Sequence, residues 1–112
     1  MQRIAKRLIN GSQLGVAVAT YYTAPNNTTT TISAMTLTND TTSAVTATVH
    51  IVPSGSTATS LNKVLSARTI SAGESYNVGG AIGQTLEAGG TIQALASVAA
   101  SITIVASGYE AS

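Results

Sequence analysis

The chain has 112 residues and a formal net charge of +1, with 44% hydrophobic and only 8% charged residues. That length holds one domain, and so weak a charge gives no field strong enough to steer nucleic acid, whose binding usually needs a stripe of Lys and Arg. The absence of Cys removes disulfide staples and thiolate chemistry alike.

Residues 1–12 differ from the rest. Arg3, Lys6 and Arg7 are three of only five positive side chains, and Ile4 and Leu8 stand four apart. This reads as a basic N-terminal arm outside the main domain, with Arg3, Ile4, Lys6, Arg7 and Leu8 as candidate partner-binding residues. It does not read as a secretory signal, because Asn10-Gly-Ser-Gln13 separates the charges from Leu14–Ala19, an apolar run of about six residues and too short for a signal core. Nothing in the chain approaches membrane-spanning length.

The remainder, residues 13–112, is patterned as strands. Candidates in chain order are Gln13–Thr23 with Leu14, Val16 and Val18 in phase, Thr30–Asn39, and Val45–Pro53 with Val45, Ala47, Val49 and Ile51 alternating with Thr46, Thr48 and His50. There follow Asn62–Ile70, a short strand at Ser75–Val78, Thr91–Ser97 and Ser101–Ser107. Turn chemistry separates them at Pro25-Asn-Asn27, Asn39-Asp-Thr41, Pro53-Ser-Gly-Ser56, Ala72-Gly-Glu74 and Ala88-Gly-Gly90. Abundant Thr favours extended backbone, and Glu and Lys, good helix formers, are scarce. The expected fold is all-β: a single antiparallel β-sandwich, Ig-like or jelly-roll, of about seven to eight strands. Val45, Ala47, Val49, Ile51, Ile92, Ala94, Ile102 and Ile104 are expected to face inward.

Phe and Trp are absent and there are four Tyr. Since an aromatic side chain buries roughly 150–250 Å², the core is thin for its length, and oligomerisation is the natural remedy. Leu95, Val105 and Tyr109 fall on the outward phase of the last two strands, read as a C-terminal hairpin. These three are the candidate oligomer interface, with a trimer as the expected form.

Chemistry-bearing residues are sparse. The single His, His50, lies on the Thr face of its strand, where an imidazole is ordinarily solvated or at an interface. Asp40, Glu74, Glu87 and Glu110 fall at turns or at the chain end, where carboxylates are normally solvated. Ala88-Gly-Gly90 lacks the Lys and the helix of a phosphate loop. No catalytic residue, metal-ligand set or cofactor site is assigned, and the protein is not expected to be an enzyme. Tyr21 and Tyr22 face opposite ways on a regular strand, so one is expected in the core and the other at an interface.

A resemblance rests on a set of short segments: Ala19–Pro25 (ATYYTAP), Thr31-Ile32, Leu37-Thr-Asn39, Ile51–Gly55 (IVPSG), Leu86–Ala94 (LEAGGTIQA) and Ser107–Glu110 (SGYE). Over nearly the whole chain these resemble small virion-associated proteins of tailed phages. The resemblance implies a non-enzymatic structural subunit of the particle, assembled in the bacterial host cytoplasm. A capsid decoration or cement protein is the favoured form, with a neck, tail or fibre component as the alternative. Its partners would be copies of itself and the major capsid protein or another virion protein, with no membrane and no nucleic acid. A carbohydrate or host-surface binding module, built on exposed Tyr and Asn-rich loops, is the competing class.

Overall fold

The computed structural model describes residues 3–111, with Arg3 by its backbone alone. Nine strands follow one another: β1 (Arg3–Gln13), β2 (Ala19–Thr23), β3 (Thr29–Asn39), β4 (Val45–Val52), β5 (Lys63–Ile70), β6 (Ser75–Asn77), β7 (Thr85–Leu86), β8 (Thr91–Ala96) and β9 (Ile102–Ala111). Among the described residues a single 3-10 turn, Gly79–Ala81, interrupts them between β6 and β7. The strands form two antiparallel sheets. The first has the order β1-β9-β3-β6, with β7 also on β3, and the second has the order β2-β8-β4-β5.

Only β4 and β5 are consecutive strands that pair with each other; elsewhere the chain crosses to the other sheet or, from β6 to β7, moves along β3. Apart from the small β7, this is the eight-strand jelly-roll connectivity, which decides between the two sandwich types expected from sequence. The molecule is elongated, 45 × 25 × 19 Å.

The core lies between the sheets, and the alternation puts it there. Val45, Ala47, Val49, Ile92, Ala94, Ile102 and Ile104 are all buried. Ile51, the eighth expected inward residue, is half-buried and packs on the core's margin. Where alternation fails, a bulge accounts for it. The β3–β9 register slips between Ile32 and Ala34, so Ile32 and Met35 are both buried although they stand three positions apart, which strict alternation would put on opposite faces.

The first segment is not an arm. Residues 3–13 are an end strand of the first sheet, paired with β9 from Arg3 opposite Ala111 to Gln13 opposite Thr103. Two register shifts, between Arg7 and Ile9 and between Ile9 and Ser12, bring the neighbours Leu8 and Ile9 into the core together. Those irregularities erase the period of two by which a strand is recognised. The expected strand at Gln13–Thr23 is also shorter: Leu14 is fully buried, but Val16 and Val18 are exposed in a loop that precedes β2.

Asn39, fully buried at the end of β3, ties the two sheets at this corner. Its amide donates to the Ser43 and Ile70 carbonyls at 2.8 and 2.9 Å, while its oxygen accepts from the Thr41 backbone and hydroxyl. All its hydrogen-bonding positions facing protein are thereby occupied, as burial requires.

Candidate functional site: exposed faces and buried polar clusters

Of the expected partner-binding residues, Ile4, Lys6 and Arg7 are exposed on β1, whereas Leu8 is buried in the core and cannot anchor a partner. The Arg3 side chain lies outside the description. Lys6 reaches Glu110 on β9 at 3.4 Å, a long and exposed contact.

The expected interface of Leu95, Val105 and Tyr109 is not one surface. β8 belongs to the second sheet and β9 to the first, so they are no hairpin. Leu95 is half-buried and alternates with the core residues Ala94 and Ala96, and Val105 does the same between Ile104 and Ala106. Each therefore points out of its own sheet, on opposite sides of the sandwich. Tyr109 shares the outer side of β9 with Val105. The reason for the misplacement is topological: strands adjacent in sequence are adjacent in space in a meander, but not in a jelly roll.

Polar side chains cluster at one point. The Tyr22 hydroxyl donates to Glu110 Oε2 at 2.5 Å and lies 2.8 Å from Thr30 Oγ1, which therefore serves as donor to it. Burial first, and then the hydrogen bond to Glu110, push the Tyr22 phenol up to about 12, with Thr30 acting in the opposite sense. The trio ties β2 of one sheet to β3 and β9 of the other. Tyr21 packs beside it on the margin of the core, because a register shift in the β2–β8 ladder between Thr20 and Tyr22 breaks the alternation. Its oxygen accepts from the Gly15 amide at 3.2 Å. Both tyrosines thus serve the core, where sequence had divided them between core and interface.

His50 is buried rather than solvated. The β4–β5 loop folds back over the outer face of β4, and His50 Nδ1 donates to Asn62 Oδ1 at 2.9 Å. The amide is held in that orientation because its nitrogen donates to the Thr57 carbonyl and its oxygen accepts from the Thr59 backbone. Val52, also buried but outside the main core cluster, lies on the same covered side of β4.

The other carboxylates are dispersed. Glu74 accepts from the Ser71 amide at 2.8 Å and closes the β5–β6 turn, while Asp40 and Glu87 are exposed. Among the described residues, no three His, Cys, Asp or Glu side chains gather into a metal-holding group.

Two surface features were not anticipated. At one end of the sandwich, a cleft of about 530 Å³ opens between the β4–β5 loop and β7, lined by Ile51, Leu61, Lys63, Val64, Leu86 and Glu87 among others. Leu61 stands at its rim, 96% exposed. At the opposite end, the loop 14–18 is joined to the loop 97–101 and its flanking strand ends by three backbone hydrogen bonds: Leu14 to Ile102, Ala96 to Gly15 and Ala100 to Leu14. Val16, Val18 and Val98 emerge there 60%, 46% and 50% exposed, beside exposed Ala17, Ala99 and Ala100. Neither loop contains a charged residue. The signal lay in the uncharged runs Leu14–Ala19 and Ala96–Ala100, but only the fold brings them together.

No family model, curated protein or solved structure matches this chain.

Proposed function

We propose that the protein is a non-enzymatic structural subunit of a tailed-phage virion, a capsid decoration protein, which associates with copies of itself and with a larger protein surface. The observation that carries the assembly role is the uncharged apolar end formed by Val16, Val18 and Val98. A contiguous apolar patch rimmed by polar residues is the usual mark of a protein contact surface. On a domain with no Phe or Trp, burying it in an assembly adds the apolar area that the core lacks. The resemblance of the segments from Ala19 to Glu110 to small tailed-phage proteins supplies the particle, and the jelly roll, a fold that occurs in viral capsids and lectins alike, is compatible with it.

The direct test is composition. Particles produced by the encoding genome and purified through a density gradient should carry this chain in fixed proportion to the major capsid protein, measured by mass spectrometry. Absence of the chain from intact particles would overturn the virion role.

The cleft beside Leu61 favours a second reading, a carbohydrate or host-surface binding module. Saturable binding to a glycan array, abolished by Leu61→Asp, would support that reading instead.

A further inference from the structure

We propose that β1 is a docking edge, which takes an extended, carboxylate-bearing segment of another protein as an added strand of the first sheet. This names the partner's chemistry for the assembly role above and rests on that reading.

Added-strand recognition needs a long strand at the edge of a sheet, with backbone groups turned outward and side chains accessible for selectivity. β1 meets that need better than the other edges. It has 11 residues and ends its sheet; among the described residues no strand pairs with its outer side. The opposite edge of the same sheet is shared by β6 and β7, of three and two residues. In the second sheet, β2 has five residues and a register shift. The other edge strand there, β5, is shifted twice and carries Ala67 in the left-handed region at φ 44°. Within β1, the stretch Arg3–Arg7 pairs without interruption with Ala111–Ser107, and Ile4, Ala5, Lys6 and Arg7 are all exposed.

Charge selects the occupant. Three of the chain's five positive residues lie in Arg3–Arg7. The Lys6 side chain is 51% exposed, and its contact with Glu110 at 3.4 Å is of the exposed kind that contributes little, so the ammonium remains open to a second carboxylate. A second copy of the chain is disfavoured. Antiparallel self-pairing centred on Ala5 sets Arg3 opposite Arg7, and centred on Lys6 sets Lys6 against itself. Like charges directly opposite destabilise a ladder, whereas opposite charges stabilise it.

The test uses the full chain, ¹⁵N-labelled, with three synthetic peptides: alternating Thr and Glu, alternating Thr and Lys, and the Thr–Glu sequence with its backbone amides N-methylated. The Thr–Glu peptide should shift the amides of Arg3–Arg7 and slow their hydrogen exchange, more weakly as salt shortens the Debye length from about 10 to about 3 Å. The Thr–Lys peptide should bind more than about tenfold more weakly, and the methylated peptide should not bind. In the variant Lys6→Glu with Arg7→Glu, the preference should reverse. Equal binding of the methylated peptide would reduce the effect to charge alone and overturn the proposal. So would shifts confined to other strands, equal binding of the Thr–Lys peptide, or no shift at Arg3–Arg7. Particle composition reports separately: a chain found in particles but indifferent to the peptides keeps the virion role and loses the docking edge. A chain that binds at β1 but is absent from particles does the reverse.

Discussion

At Gly108 the ladder leaves no space for a side chain. The residue lies in β9 between Lys6 of β1 and Ile32 of β3, and a Cβ there would collide with the Thr31 carbonyl oxygen and press on Leu8. Backbone cannot yield as a flexible side chain does, so Gly108→Ala should destabilise by about 3 kcal/mol, the upper part of the overpacking range, measured by urea unfolding. Tyr22 makes a prediction about pH. Its folded-state value of about 12 lies above the ordinary phenol value of 10.0, so between those values the native state holds a proton that the unfolded chain has lost. Stability from this group is therefore complete below about pH 10 and falls as pH rises through about 12. The melting temperature should decline over that window, and the slope should lessen in Tyr22→Phe. At neutral pH that substitution leaves Glu110 and Thr30 without their shared partner and should cost about 1–3 kcal/mol.

Among the elements, β1 is the one whose role changes most when it is seen in place. Taken as an arm, it could be removed without harm. As a strand it delivers Leu8 and Ile9 to the core and covers one side of β9. Each buried aliphatic side chain is worth about 1.5–3 kcal/mol, against a total stability of about 5–15 kcal/mol for a typical domain. Deleting residues 1–9 should therefore leave a chain that is unfolded or aggregated at room temperature, as read by far-ultraviolet circular dichroism and light scattering. The β4–β5 loop behaves similarly on the other sheet. Asn62 binds His50 and closes the loop on itself, and Asn62→Ala should cost about 1–3 kcal/mol by leaving a buried imidazole donor unpaired. Hydrogen exchange should quicken in the loop and spare β8.

For the whole molecule, the apolar end carries the decisive expectation. Val16→Lys combined with Val98→Lys changes exposed positions, so the subunit should stay folded by circular dichroism while light scattering reports a loss of self-association. A wild-type protein that is monomeric at tens of micromolar would remove this end as a self-contact. Much of the architecture was legible in residue order, since a period of two reads the same wherever a strand pairs. The buried sides of β4, β8 and β9 followed from Val45–Val49, Ile92–Ala94 and Ile102–Ile104, and the sandwich from their number and punctuation. The bulged β1 escaped as a strand, and β3, although expected as one, escaped in its buried face, because an extra residue at Leu8 or Ser33 reverses the phase that identifies a face. The pairing of Tyr22 with Glu110 spans 88 positions and leaves no local trace. What the sequence by itself determined was which residues prefer burial and where the chain turns, for these depend on side-chain polarity and local backbone preference. Which strands became neighbours was decided by the tertiary structure: the jelly-roll crossings separated Leu95 from Val105, joined the loop of Val16 to that of Val98, and made the basic first segment the edge of a sheet.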